Sequence, residues 1–160
     1  MSNTLIFGNS GSGKSTLAKK ISTEQNAAHL DLDTIAWQAS VPPMRKPIVE
    51  SKAKIDSFIN ANKHWVIEGC YADLLALAVG NADKLIYLDL PVADCIANAK
   101  KRPWEPHKYE TKAAQDANLT MLIDWISQYP TRDDTFSRQA HLNLYEAFIG
   151  EKEQRRSSDK

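Results

Sequence analysis

The sequence runs to 160 residues, with 20 Lys plus Arg against 20 Asp plus Glu, a formal net charge of zero, and 42% hydrophobic residues. That is one domain's length, enough to bury a real core, and the even charge balance counts against a surface drawn as a whole to nucleic acid or anionic lipid. The two cysteines, Cys70 and Cys95, form no CxxC pair, which counts against a disulfide framework or a zinc site.

Leu5-Ile6-Phe7 predicts a short buried strand, followed by a helix from Lys14 to Glu24 with Leu17, Ala18 and Ile21 on one face. His29 to Asp33 reads as a second strand. A helix then starts at Pro47, with Ile48, Ile55, Phe58 and Ile59 as its apolar stripe. Trp65-Val66-Ile67 and Leu85-Ile86-Tyr87-Leu88 predict two more strands, separated by a helical stretch from Tyr71 to Val79. A helix from Pro91 to Arg102 leads into RPWEPHKYETK, whose closely spaced prolines demand a loop. Leu119, Leu122, Ile123 and Ile126 have helical spacing, and a last helix covers Asp134 to Phe148. Nothing apolar follows Ile149, so 151–160 is expected to be a frayed tail behind a single domain at 1–150. Strands alternating with helices predict an α/β fold with a parallel sheet covered on both faces. No stretch has the pattern of a signal peptide or the length to span a bilayer, so a cytoplasmic location is expected.

Gly8-Asn9-Ser10-Gly11-Ser12-Gly13-Lys14-Ser15 fits G-x-x-x-x-G-K-[ST], the Walker A pattern, between a strand and a helix. Glycines let successive N–H groups converge on an anion, and the helix N-terminus adds positive potential. Lys14 then reaches the β and γ phosphates and Ser15 ligates Mg2+, with Thr16 closing the loop. A plain Gly/Ser turn is the alternative, but the strand–helix context favours a site for ATP with Mg2+.

Ligands of open parallel sheets bind at the strands' carboxyl ends. Alternation along the second strand puts Asp31 and Asp33 on one face. One carboxylate would orient the magnesium waters and the other accept an acceptor hydroxyl's proton, unless both are simply solvated. Glu68 ends the third strand where a carboxylate would hold the metal's water shell, and Gly69 would let substrate approach the backbone. Glu68 as a helix-start acid is the alternative.

On these motifs the chain resembles the small P-loop kinases of the adenylate kinase and shikimate kinase group, over residues 4 to 149. Within that group it is most similar to the adenylate-kinase-related DNA topology modulation proteins. Glu68-Gly69 resembles the acid–glycine pair of nucleotide kinases, and Asp31-Leu32-Asp33 the D-x-D of shikimate kinases. The resemblance implies Asp33 at the acceptor hydroxyl and Asp31 and Glu68 near magnesium. It also implies an acceptor-binding insert at 34–62 and a helical lid at 102–118. Arg102 closes the pre-lid helix, while Arg132 and Arg138 lie in YPTRDDTFSRQAH, similar to the segment whose arginines reach the transferring group. Arginines arriving as a lid closes contribute ~10³–10⁵ in rate. Lys100, Lys101, His107 and Lys108 give the lid a positive bias.

Departures from the group are also legible. Gly69 is followed by Cys70-Tyr71-Ala72 instead of a Pro-Arg that grips a nucleotide phosphate, leaving Arg45 and Lys46 to meet an acceptor anion. The fifth strand is expected to be missing, giving a sheet of order 2-3-1-4. Trp37 and Trp65 either stack on an acceptor ring or fill the core, Trp125 is expected to pack the lid base, and His141 is expected to make a structural hydrogen bond. The reading is an ATP- and Mg2+-dependent phosphotransferase acting on a small acceptor, without nucleic-acid or membrane partners. A nucleotide-binding regulator with little or no turnover is the rival.

Overall fold

The structure, a computed structural model, describes residues 2–38 and 44–157. Its main sheet is built from β1 (Thr4–Gly8), β2 (Ala28–Asp31), β5 (Trp65–Gly69), β6 (Lys84–Leu88) and β7 (Glu151–Arg155). All neighbours are parallel, in the order β2-β5-β1-β6-β7. A small antiparallel hairpin, β3 (Trp37–Gln38) and β4 (Met44–Arg45), sits in the insert; residues 39–43 of that insert lie outside the described residues. Among the described residues no helix is long and apolar enough to cross a membrane.

Strand alternation divides the core. Leu5, Phe7, Trp65, Ile67, Leu85 and Tyr87 face one side, where α3 (Ile48–Ala61), α4 (Ala72–Ala78) and α8 (Arg138–Ala147) supply Ile55, Leu74, Leu75 and Leu142. Ile6, Val66, Ile86 and Leu88 face the other, against Ala18 of α1 (Lys14–Gln25), Cys95 and Ala99 of α5 (Val92–Lys101) and Ile126 of α7 (Leu119–Ser127). Each large side chain withdrawn from water contributes about 1.5–3 kcal/mol, so both faces hold the three layers together. Trp65 is fully buried and belongs to this core.

Local chemistry sets the helix ends. Pro47 and Pro91 immediately precede α3 and α5, and Asn26 ends α1 at φ 52°. The side chains of Thr111 and Ser137 accept the N–H groups of Ala114 and Ala140, capping α6 (Lys112–Ala117) and α8.

Two expectations are corrected. The first four sheet strands do stand in the order 2-3-1-4, but a fifth, β7, adds to β6 from Lys84↔Glu151 to Leu88↔Arg155. The segment expected to fray is therefore ordered strand through Arg155. Backbone pairing along one edge holds it, with Lys84 and Glu151 3.3 Å apart, and no apolar side chain is needed. Asp33 is not on β2. The strand ends at Asp31, and Asp33 opens the one-turn α2 (Asp33–Ala36), where its N–H donates to Asp31 Oδ1 at 2.9 Å. That side-chain turn, not strand alternation, brings the two carboxylates to one place.

Candidate active site

The loop after β1 is shaped from behind. Asn9 Nδ2 donates to the carbonyl of Ile126 at 3.2 Å, and Asn98 Nδ2 to that of Gly11 at 2.9 Å, tying the turn to α7 and α5. Gly11 has φ 80°, and a Cβ there would lie 2.3 Å from the carbonyl oxygen of Cys95; Gly13 has φ 93°. Gly13 is also the N-cap of α1 and provides no side-chain cap. The first amides of α1, at Lys14, Ser15 and Thr16, thus lack intrahelical acceptors and point into the loop. Lys14 Nζ donates to the Asn9 carbonyl at 2.8 Å, and Ser12 Oγ is buried without a partner. Open amides, an ammonium and an unpartnered hydroxyl at a helix N-terminus fit a polyphosphate anion.

Carboxylates stand opposite. Ser15 Oγ donates to Glu68 Oε2 at 2.7 Å, and His29 Nε2 donates to the same oxygen at 3.0 Å. Glu68 and Asp31 are register partners across β5 and β2. Burial raises the pKa of Asp31, and the nearby charges of Glu68 and Asp33 raise it further against the pull of Lys108. A divalent cation would relieve that crowding. Among the described residues no three His, Cys, Asp or Glu side chains form a metal cage. Mg2+ does not need one, since it keeps several waters and takes a hydroxyl, one or two carboxylates and phosphate oxygens. Ser15, with Asp31 and Glu68 acting on the water shell, fits that habit.

Asp33 is held on both sides. Tyr71 Oη donates to its Oδ1, Trp37 Nε1 donates in turn to Tyr71 Oη at 2.7 Å, and Lys108 Nζ lies 2.9 Å from Oδ2. Burial opposes ionisation of Asp33, but Lys108, the Tyr71 hydrogen bond and Lys14 together bring its pKa below the ordinary value. Burial and the Asp33 charge push the Tyr71 phenol far up, so it stays neutral and donates.

Three hollows meet here. A cavity of about 310 Å³ is lined by Ser10, Gly11, Gly13, Lys14, Ser15 and Thr16 of the loop, by Asp31, Asp33, Glu68 and Gly69, and by the segment from Arg102 to Lys108. Gly8 and Asn9 do not line it. Behind the loop, a cavity of about 530 Å³ is lined by Ser12, Thr16, Asn98, Arg102, Pro103, Arg155 and Ser157. A third, of about 800 Å³, opens beyond Asp33 and Lys108 and includes Trp37, Tyr71, Trp125 and Phe136. The segment from Arg102 to Lys108 is tied to α6: Gln115 accepts from Glu105 N–H at 2.8 Å and donates to the Pro103 carbonyl at 3.0 Å.

Several expected site residues are placed elsewhere. Arg138 makes two hydrogen bonds to Asp89, at 3.0 and 2.7 Å, and lines none of these cavities. Arg132 is paired with Asp134 at 2.7 Å and lies 3.6 Å over the ring of Trp125. Arg45 reaches Asp73 at 3.1 Å and covers the Tyr71 ring at 5.0 Å. A carboxylate engages part of each guanidinium, while Arg45 Nε and Arg132 Nη1 stay buried without a hydrogen-bond partner. A Cβ on Gly69 would lie 2.9 Å from Leu32, so packing requires that glycine whether or not substrate approaches it. Arg102 does line both cavities beside the glycine-rich loop, and Trp37 lines the aromatic one.

His141 is fully buried, donating from Nε2 to the Cys70 carbonyl at 2.8 Å and accepting at Nδ1 from Tyr129 Oη at 2.7 Å. Burial lowers its pKa to about 4, so it is neutral and structural. Sequence reasoning missed Tyr71, Arg155 and Ser157. Only the position of Tyr71, close behind Glu68-Gly69 at a strand's carboxyl end, could have flagged any of them.

No family model matches the sequence, and no curated protein matches it. Among solved structures, it is similar to a shikimate kinase from Bacteroides thetaiotaomicron at 14% identity, covering 91% of this chain and 98% of that one, with a TM-score of 0.46. It is also similar to an uncharacterized protein from Eubacterium ventriosum (14% identity, 88% and 84% coverage, TM-score 0.46). A sugar kinase from Janibacter gives 14% identity, 82% and 81% coverage and a TM-score of 0.48. Likeness at this level carries no substrate or activity over to this chain.

Proposed function

We propose that this chain is an ATP- and Mg2+-dependent phosphotransferase acting on a hydroxyl of a small acceptor. One observation carries the reading: Lys14 and Ser15, the carboxylates Asp31, Asp33 and Glu68, and the lid residues Arg102 and Lys108 all line a single cavity of about 310 Å³. The cavity behind the loop, reached by Arg155 and Ser157 from the end of β7, supports a place for the nucleotide base.

In this reading the open amides of α1 and Lys14 hold the β and γ phosphates, and Arg102 neutralises charge on the transferring group. Bound Mg2+ would screen the phosphate oxygens, held through Ser15 and the water-orienting Asp31 and Glu68. The acceptor oxygen forms a bond to the γ-phosphorus as the bond from that phosphorus to the β–γ bridging oxygen breaks, leaving ADP. The acceptor's proton passes to Asp33. A carboxylate held this acidic first orients the hydroxyl, and takes the proton as bonding to phosphorus acidifies the oxygen. Its two oxygens keep free lone pairs beside Tyr71 and Lys108, since a carboxylate accepts about four hydrogen bonds. The even charge balance supports partners other than nucleic acid or an anionic membrane surface.

A nucleotide-binding regulator with slow turnover is the second reading. It is favoured by the engagement of Arg132 and Arg138 with Asp134 and Asp89, which leaves Arg102 as the arginine at the transfer site. ADP release measured with and without small alcohols separates the two. A phosphotransferase gives acceptor-dependent release that Asp33→Asn lowers by about 10²–10⁴, with ATP affinity little changed. Release without any acceptor marks an ATPase, and no release with any acceptor marks the regulator.

A further inference from the structure

Asp33 opens the single turn of α2 and Trp37 follows its end, four positions on, a spacing that brings two side chains to one side. Tyr71 reaches both from the loop between β5 and α4. Its Oη accepts from Trp37 Nε1 at 2.7 Å and donates to Asp33 Oδ1. Tyr71 is 2% exposed, with the ring of Phe136 edge-on at 5.3 Å and the guanidinium carbon of Arg45 5.0 Å over its face. Packing therefore fixes where the phenol oxygen stands.

Donor and acceptor chemistry fixes the direction of the two bonds. An indole N–H only donates, whereas a phenol carries one hydrogen and lone pairs that accept. With Trp37 donating to the oxygen, the one hydrogen of Tyr71 is left for Asp33. Bonds in series polarise one another, so a phenol donating to a charged carboxylate accepts more strongly from the indole. Asp31 is held differently: its Oδ1 takes the Asp33 N–H at 2.9 Å, and its Oδ2 lies 3.6 Å from Lys108. Asp33 also lines both the cavity at the glycine-rich loop and the aromatic cavity, whereas Asp31 lines the first.

Resting on the phosphotransferase reading, we infer that Tyr71 is a positioning residue, and that Trp37 and Tyr71 form a one-way relay of donors that holds Asp33, and not Asp31, in place to take the acceptor's proton. The relay moves no proton itself. Tyr71 keeps its hydrogen throughout, and the acceptor's proton goes to a carboxylate lone pair that the relay leaves open. Trp37 thus sets the geometry of Asp33 as well as lining the aromatic cavity.

The test uses the full-length protein with isotope-labelled indole nitrogens, one signal for each of its four tryptophans. The signal lost in Trp37→Phe is that of Trp37. Tyr71→Phe keeps the ring but removes the acceptor, and is expected to move the Trp37 N–H signal upfield. Asp33→Asn is expected to move it the same way by less, because loss of the charge weakens the bond in series. Asp31→Asn is expected to leave it in place. In ADP-release assays with ATP–Mg2+ and glycerol, glucose, inositol or adenosine, Tyr71→Phe is expected to lower kcat by about tenfold and to leave both KM values within about threefold. A Trp37 signal unmoved in Tyr71→Phe or in Asp33→Asn overturns the relay, whatever the protein does with ATP. So does a rise in acceptor KM at unchanged kcat, which would make Tyr71 a binding contact. Moved signals without acceptor-dependent release tell against the phosphotransferase reading instead, and overturn the inference by leaving the relay no transfer to serve.

Discussion

Lys108 Nζ lies 2.9 Å from Asp33 Oδ2, joining the lid to the carboxylate that faces both the phosphate loop and the aromatic cavity. Its pKa is raised against the cost of burial by the charges of Asp33 and Asp31, while Asp33 is held below the ordinary 3.8. The depressed Asp33 value means that the pair stabilises the fold fully at neutral pH and ceases to do so as pH falls through that value. Asp33 is 38% exposed, so screening limits the effect to about 1 kcal/mol, or roughly 2–4 °C in Tm. Thermal unfolding of Lys108→Met against the wild type is expected to show that gap at pH 7 and to lose it as the pH falls below the ordinary carboxylate value of 3.8. A gap of equal size above and below that value would contradict the pairing.

His141 gives the opposite probe, a buried group kept neutral. Burial holds its pKa at about 4 against an ordinary 6.5. The unfolded chain therefore takes up a proton that the folded chain refuses, and stability is lost as pH falls from 6.5 towards 4. The loss is on the order of 3 kcal/mol. Denaturant titrations of His141→Gln are expected to show a lower stability at pH 7.5 but a much shallower fall towards pH 4. Identical slopes in both proteins would show that another group governs the acid limb.

Gly11 and Gly13 separate two reasons for glycine. Both have positive φ, but a Cβ at Gly11 meets the Cys95 carbonyl oxygen at 2.3 Å, whereas one at Gly13 meets nothing within 4 Å. Gly13→Ala is expected to cost about 1–2 kcal/mol, the left-handed penalty alone. Gly11→Ala adds a backbone collision of about 1–3 kcal/mol more and displaces the loop from α5. Equal losses in chemical unfolding would contradict this geometry.

Arg138 is expected to matter for stability and not for turnover. It makes two charged hydrogen bonds to Asp89, which also accepts from Gln154 on β7 at 3.0 Å. Arg138→Gln should lower stability by about 1–2 kcal/mol, discounted for its partial exposure. Nucleotide affinity and any acceptor-dependent rate should stay within about threefold. A large fall in kcat with unchanged stability would return Arg138 to the reacting centre.

What could be read in the sequence was local. The pattern Gly8 to Ser15 is legible because its glycine, lysine and hydroxyl positions fall within a few residues, and strands such as Leu5–Phe7 and Trp65–Ile67 are apolar because both sheet faces are covered. β7 was hidden because an edge strand of Glu, Lys, Gln and Arg is held by backbone pairing, which leaves no side-chain periodicity. Asp33 lines the same cavity as Asp31, but the Asx turn between them, not strand alternation, brings it there. By type and position Arg132 and Arg138 read as catalytic and Arg45 as acceptor-binding. The partners of Arg45 and Arg138, Asp73 and Asp89, lie 28 and 49 positions away, and nothing in the spacing announces those pairs, whereas Asp134, the partner of Arg132, lies only two residues on. Lys108 appeared only as part of a basic run, though its three carboxylate neighbours make it the lid's point of contact.

Triphosphate binding by the loop at 8–16 is tested most directly by calorimetric titration of the full chain and of Lys14→Ala with ATP, with and without Mg2+. The wild type is expected to give a saturable, magnesium-linked heat and, at about a hundredfold its Kd, an added stability of about 2.7 kcal/mol, with both lost in Lys14→Ala. Equal heats and equal stabilisation in the two proteins, or no magnesium-linked heat in either, would contradict it.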